Sequence, residues 1–182
     1  YDIGTTGVKT CLFEISGAIS LVESATADYP LYVLDDGRIE QDPETWWQAM
    51  CRTTKHIFKN TSIPESSIAG ISFCAQMQSL VLVDRDGHPV RRAMNYMDSR
   101  AAEEIRKGIQ SGVRISGMNA RKLLRSIAVT GAVSASVKDP VWKYNWVKNH
   151  EPEIFKKVYK WLDVKDFLVY KACGRFVMSE DS

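Results

Sequence analysis

Asp2 to Gly7 reads DIGTTG, and this short polar stretch is the most informative part of the chain. Two glycines, Gly4 and Gly7, permit a tight turn of the main chain. Within such a turn, main-chain N–H groups and the hydroxyls of Thr5 and Thr6 point to one place, which is typical of a phosphate-binding nest. The sequence therefore predicts a phosphate site at the first turn.

Two charged residues flank this turn. Lys9 follows Gly7 by two positions and would add a positive charge, whereas Asp2 is a candidate ligand for Mg²⁺ or for a water bound to it. A Gly-Thr turn that merely joins two strands explains the same residues equally well. The turn alone leaves both interpretations open.

Strand and helix signals follow the turn in alternation. Residues 8–15 and 19–25 are apolar and β-branched around Ser16-Gly17, which predicts a hairpin. Asp42, Pro43 and Glu44 are typical of a helix start, and the apolar spacing beyond them predicts a helix over residues 43–58. Further strands are predicted at 68–74, 80–84 and, after an Asp-Gly turn, 88–93.

The second half of the chain continues the alternation. We expect helices at 101–110, 140–149, 152–157 and 163–172, strands at 159–162 and from 176 onward, and a loop-rich excursion over 111–136. Strands that alternate with helices after an opening hairpin indicate an α/β layered domain, with a mixed sheet flanked by helices.

Composition excludes several classes of protein. The chain has 24 Lys and Arg against 22 Asp and Glu, so its net charge of +2 favours neither a nucleic-acid partner nor an acidic tail. No apolar run approaches the ~20 residues of a spanning helix. The four cysteines lack metal or disulfide spacing, which favours a reducing environment. We therefore expect a soluble, cytoplasmic protein with no membrane partner.

Several segments together resemble the FGGY family of carbohydrate kinases. They match in order and spacing and cover nearly the whole chain: the DIGTTG turn with Lys9, EQDP at 40–43, GIS at 70–72, AQMQ at 75–78, NYMDSR at 95–100, KYNWV at 143–147, HEPE at 150–153 and KDFL at 165–168. Within the family they are most similar to xylulokinases. The resemblance implies an actin-like, ribonuclease H-like ATPase fold of two domains, of which residues 1–182 would be the truncated amino-terminal one.

The resemblance also implies roles for individual residues. The expected ATP and Mg²⁺ contacts are Asp2, which is also the metal ligand, Gly4, Thr5, Thr6, Gly7 and Lys9, and the expected sugar contacts are Gln76, Met77, Gln78 and Asp98. Xylulokinases usually have Met-His where this chain has Met77-Gln78, and glycerol kinases have Arg-Glu, so D-xylulose is the favoured acceptor. The catalytic base would lie beyond residue 182, and a homodimer of the whole protein is left open.

Plainer interpretations compete with some of these roles. Asp98 followed by Arg100 is more typical of an ion pair and cap than of a sugar contact. The five tryptophans are expected in the core, and the three histidines are not expected to act in catalysis or metal binding. An actin-like nucleotide-binding regulator or scaffold without sugar kinase activity is the competing hypothesis for the chain as a whole.

Overall fold

The computed structural model describes residues 1–131 and 133–178. The strands β1 to β11 are Asp2–Ile3, Gly7–Ile15, Ile19–Asp28, Tyr32–Val33, Ile39–Gln41, Cys74–Ala75, Val81–Val83, Ala93–Met94, Arg114–Ile115, Met118–Asn119 and Lys160–Leu162. The helices α1 to α6 are Pro43–Asn60, Ala102–Gly108, Ala120–Thr130, Pro140–His150, Pro152–Phe155 and Val164–Cys173. The expected α/β class is confirmed, and no helix in the described part is long and apolar enough to cross a membrane.

A mixed sheet with the strand order β3-β2-β1-β6 carries the first turn. Strands β1, β2 and β3 are antiparallel neighbours, whereas β6 runs parallel to β1. The hairpin predicted at 8–25 is confirmed, with Gly17 at φ 81° in its loop. Asp2 lies opposite Lys9 on one side and Cys74 on the other. The turn of interest therefore connects the central strand β1 with β2.

Helix α1 covers this sheet. Its start follows the predicted chemistry, because the Asp42 side chain accepts a hydrogen bond from the Glu44 N–H at 3.0 Å and Pro43 is the first helical residue. Its buried side chains pack on β2 and β3, and Trp46 meets Phe167 of α6 edge to face with 6.4 Å between ring centroids. The expected core role is therefore confirmed for Trp46, which has no exposed surface.

Helix α6 begins at a capping box. The Asp163 side chain accepts main-chain hydrogen bonds at the helix start, and the Asp166 carboxylate accepts one from the Asp163 N–H at 3.2 Å. Gly174 ends the helix in the left-handed conformation at φ 69°, as its position predicted. Both ends of α6 are thus fixed by local chemistry.

Four of the sequence-based expectations are wrong. The return strand expected at 88–93 is interrupted, with one isolated bridge between Pro89 and Val83 and with β8 at Ala93–Met94. The excursion at 111–136 contains the β9–β10 hairpin and helix α3, which begins where Asn119 accepts a hydrogen bond from the Lys122 N–H at 2.9 Å. The strand expected at 68–74 is only Cys74–Ala75, which pairs with Asp2 and Ile3 of β1. No strand begins at 176–178, and residues 179–182 lie outside the described part.

The turn after β7 is held by an aromatic ring from α6. Gly87 lies at φ 78°, and a Cβ there would collide with the ring of Tyr170. The ring cannot easily withdraw, because its hydroxyl donates to the Asp86 carbonyl at 2.7 Å. This contact ties the β7 turn to α6.

We expect Gly87→Ala to destabilise the protein by at least about 1 kcal/mol more than Gly117→Ala. Gly117 has nearly the same backbone conformation, φ 79°, but nothing within 4 Å of its Cβ position, so the comparison isolates the collision with Tyr170. Chemical denaturation of both variants measures the difference, and equal destabilisation would contradict the packing argument.

Candidate active site

One shallow pocket of about 290 Å³ brings the first turn and the 75–78 segment together. Among its lining residues are Asp2, Gly4 and Thr5 from the turn, Gln76 and Met77 from the end of β6, and Tyr96 after β8. A larger groove of about 470 Å³ lies between β3 and α1, but none of the predicted site residues lines it. The smaller pocket is therefore the candidate site.

The carbonyl groups of the first turn are all engaged from behind. The Tyr29 hydroxyl lies 2.5 Å from the Gly4 carbonyl oxygen and 2.9 Å from that of Gly7, so its single proton is shared between the two, and the Tyr29 N–H donates to the Thr6 carbonyl at 3.1 Å. The Gln41 amide donates to the Thr5 carbonyl at 2.8 Å. Burial, helped by the nearby negative Asp2, raises the pKa of Tyr29, so its hydroxyl stays a donor at physiological pH.

This arrangement leaves the opposite side of the turn electropositive. Within the described part of the chain, the N–H groups of Thr5 and Thr6 donate to no main-chain or side-chain acceptor, and Thr6 is exposed. Asp2 and Lys9 are both exposed and, as direct cross-strand partners, project from the same face of the sheet. Of the predicted turn residues, Asp2, Gly4 and Thr5 line the pocket, whereas Thr6, Gly7 and Lys9 are not among its lining residues, although Lys9 projects from the same face of the sheet as Asp2.

Gly7, the second glycine of the turn, is required because strand β3 approaches it closely, not because its backbone angles are unusual. A Cβ on Gly7 would lie 2.9 Å from the Asp28 carboxylate oxygen and 3.0 Å from the Ala27 carbonyl oxygen. Strand β3 therefore presses against the turn at this point, and only glycine fits without displacement.

An amide network connects the two sides of the pocket. The Gln41 Oε1 atom accepts hydrogen bonds from Gln76 Nε2 at 2.7 Å and Asn95 Nδ2 at 2.9 Å, and Asn95 Nδ2 also donates to Gln76 Oε1 at 2.9 Å. Because Gln41 also donates to the Thr5 carbonyl, the turn, β6 and β8 share one network. The Gln76 amide is thus largely occupied by protein partners.

Met77 and Gln78 are the exposed members of the 75–78 segment. Met77 is 73% exposed at the pocket rim. Gln78 has the positive backbone angle φ 60°, and its main-chain groups contact two charged side chains, those of Asp163 and Lys143. Its own amide is exposed and makes no hydrogen bond to any residue that the structure describes.

Asp98 is not available to a sugar, which corrects its assignment as a substrate contact. Its side chain is fully buried and forms an ion pair with Arg100 at 2.6 Å, and it accepts the Ile39 N–H at 2.9 Å. The plainer interpretation of this residue is the right one. Tyr96, from the same motif, reaches the pocket instead, with its hydroxyl 3.4 Å from Thr5 Oγ1.

Sequence reasoning missed the supporting residues Tyr29, Gln41, Asn95 and Lys143. One histidine, His88, lies beside Asp84 and Asp86 on an exposed turn. The Asp84 carboxylate already accepts the Asp86 and His88 N–H groups at 3.0 and 2.9 Å. These hydrogen bonds of the turn explain why the three side chains lie together, and no other feature of the cluster indicates a metal site.

Comparison with known proteins places this geometry in context. Residues 1–181 match the model for the N-terminal domain of the FGGY family of carbohydrate kinases. The chain is 33% identical over 173 residues to a xylulose kinase of Staphylococcus xylosus, with 95% of this chain and 33% of the relative covered. It is 29% identical over 180 residues to a gluconokinase of Bacillus subtilis, with 97% and 32% covered.

A solved structure extends this likeness to three dimensions. The ligand-bound xylulose kinase of Lactobacillus acidophilus superposes with a TM-score of 0.78 at 25% identity and covers 96% of this chain and 33% of that protein. The expected actin-like fold is thereby confirmed. The chain spans about a third of the length of the curated relatives it matches.

We expect Tyr29→Phe to loosen the first turn and to destabilise the protein by about 1–2 kcal/mol, because the Gly4 carbonyl loses its donor while the ring packing is retained. Amide hydrogen exchange at Gly4, whose N–H donates to the Gly7 carbonyl at 2.9 Å, measures the loosening, and thermal unfolding measures the stability. Tyr32→Phe is the control, since the Tyr32 hydroxyl makes no hydrogen bond in the described residues. Unchanged exchange in Tyr29→Phe would show that the turn needs no support from behind.

Proposed function

The chain belongs to the FGGY family of carbohydrate kinases, and on this premise we propose that residues 1–182 are the amino-terminal domain of an enzyme that transfers the γ-phosphoryl group of ATP to a hydroxyl of a ketose. D-xylulose is the acceptor we favour, because the relatives named above include xylulose kinases. The whole protein would contain a second actin-like domain that closes on the reactants.

The observation that carries this proposal is the single pocket shared by the first turn and the 75–78 segment. Phosphoryl transfer depends mainly on holding donor and acceptor in line and on neutralising charge. A pocket with phosphate-type donors on one wall and an exposed polar segment on the other suits both tasks. The acceptor oxygen would form the new bond to phosphorus as the bond to the β-phosphate oxygen breaks.

The residues of the turn fit the phosphates of ATP and a magnesium ion. Thr5 and Thr6 offer N–H groups and hydroxyls, Lys9 offers a cation, and Asp2 is an exposed carboxylate beside them. Magnesium, when bound, supplies positive charge that offsets the phosphate charge. Asp2 would hold that ion or its water, and the turn would orient the phosphates while Tyr29 keeps the turn's carbonyl oxygens directed away from them.

The acceptor side of the pocket consists of Met77 at its rim and Gln78 next to it. An exposed amide can both donate to and accept from sugar hydroxyls, which suits Gln78 to a polyhydroxyl acceptor. Gln76, whose amide donates to Gln41 and accepts from Asn95, would support this segment and could still offer one N–H and one oxygen lone pair to a ligand. The proton of the acceptor hydroxyl would pass to a base outside the residues assigned here.

A regulator or scaffold that only binds nucleotide is the weaker alternative. Such a module has no need of an exposed polar segment opposite its phosphate site, and its family would be a different one. A homodimer of the whole protein and a cytoplasmic location remain predictions. Measuring ATP consumption by the intact protein against a panel of ketoses, polyols and gluconate tests the function directly, and no consumption with any acceptor would overturn it.

We expect Asp2→Asn to lower kcat of the intact enzyme on the order of 10²-fold, because the variant loses the charge proposed to act on the magnesium ion. Sugar affinity, measured without nucleotide, should change little. Asp35→Asn is the matched control, since Asp35 is exposed and lies outside the pocket. A parallel loss of sugar affinity would make Asp2 a structural residue instead.

We expect Gln78→Ala to reduce kcat/KM unevenly across pentuloses, hexuloses, polyols and gluconate. The largest loss, about tenfold or more, should fall on the sugar whose hydroxyl the amide contacts, because that hydroxyl loses its partner. An equal loss for all acceptors would assign Gln78 a general folding role, and an unchanged panel would remove it from the site.

A further inference from the structure

Gln78 has a main-chain conformation that needs outside support. At φ 60° it is one of two non-glycine residues, with Ser116, that have a positive φ in the described part of the chain. A side chain in this region is strained, and the conformation persists only where surrounding contacts hold it. The contacts around Gln78 therefore determine where its side chain is presented.

Two charged side chains from different helices supply these contacts. The Asp163 carboxylate, at the start of α6, accepts the Gln78 N–H at 3.1 Å with one oxygen and the Ser79 N–H at 3.2 Å with the other. The Lys143 ammonium group, on α4, donates to the Gln78 carbonyl at 2.9 Å. Every main-chain polar group from the Gln78 N–H to the Ser79 N–H is thus held by a charged side chain.

Lys143 also contacts the segment that carries Tyr96. Its ammonium group donates to the Asn95 carbonyl at 2.7 Å, immediately before Tyr96, which lines the pocket. The Asn95 side chain belongs to the amide network with Gln41 and Gln76. A single ammonium nitrogen therefore fixes the spacing between the 76–78 segment and Tyr96.

The burial of Lys143 is costly, which indicates that the spacing between the 76–78 segment and Tyr96 is important for the pocket. The residue has no exposed surface, and both of its hydrogen-bond acceptors are neutral carbonyls. Burial lowers its pKa to about 8, although the negative Asp98 and Asp163 nearby oppose the shift. Burying an ammonium group without an ion-paired carboxylate is costly, and an apolar side chain of similar size would serve folding at least as well.

We propose that Lys143 and Asp163 are positioning residues that hold the 76–78 segment against Tyr96 and thereby determine which acceptor the pocket accepts. This inference rests on the proposed kinase function and deepens it. Neither residue is expected to touch the substrate. Both act through the main chain of Gln78, so their loss should alter selectivity among sugars more than the use of ATP.

The functional experiment compares Lys143→Met and Asp163→Asn in the intact protein with Lys148→Met, which removes an exposed charge from the same helix. Asparagine keeps the helix cap of α6 but loses one of the two acceptors for Gln78 and Ser79. We expect kcat/KM to fall about tenfold or more for the preferred sugar, less for the others, with the KM for ATP within about twofold of wild type. An equal fall for every sugar, or the same fall in Lys148→Met, would overturn the proposal.

A second measurement does not depend on kinase activity. Amide hydrogen exchange at Gln78 and Ser79 should accelerate about tenfold or more in Asp163→Asn while exchange in α1 is unchanged. Unaltered exchange at both amides would overturn the proposal whatever the kinetics show. If Lys143→Met does not fold, Asp163→Asn alone decides the question, and a wild-type protein that phosphorylates no sugar would overturn the proposed function as a separate result.

Discussion

The buried amide of Gln41 is the contact on which the geometry of the pocket depends. Because Gln41 has no exposed surface, its amide depends on partners within the protein. Its Nε2 atom donates to the first turn, and its Oε1 atom accepts hydrogen bonds from residues at the ends of β6 and β8. Because these three elements are distant in sequence, a shift in any one of them would leave a buried polar group unpaired, which makes their mutual arrangement strongly specified.

The two walls of the pocket are stabilised by different kinds of interaction. Neutral hydrogen bonds from Tyr29 and Gln41 support the carbonyl groups of the first turn. The N–H groups of Thr5 and Thr6 therefore remain available to a ligand. The 76–78 and 95–100 segments are instead held by charged side chains: Lys143 and Asp163 contact the main chain of Gln78, and Asp98 pairs with Arg100 in the segment that carries Tyr96. Charged contacts are stronger and more directional than neutral ones, which suits a wall that must discriminate between similar polyhydroxyl molecules.

Local chemistry was predictable from the sequence, whereas long-range contacts were not. Asp42-Pro43, Gly17 and Gly174 each fix their own turn or helix end, so the corresponding elements were predicted correctly. Helix α3 was missed because the Gly, Ser and Ala around it suggested a loop and the cap at Asn119 was overlooked. At the site, the turn and the 76–78 segment were identified from motifs, but Tyr29 and Lys143 act through partners 22 to 65 residues away, which no local pattern reveals.

The left-handed backbone at Gln78 also limits how this position can vary during evolution. β-branched residues such as Val, Ile and Thr fit such a conformation poorly, whereas Gly, Asn, Asp and His enter it most readily. Any lineage that altered acceptor preference through this position would therefore draw on a short list of mostly small, polar or imidazole side chains. Directed evolution of new acceptor preferences would benefit from a library restricted to those residues at position 78. In a fully random library, most variants would disturb the left-handed backbone conformation, and their altered activity would then say nothing about the contact between the side chain and the sugar.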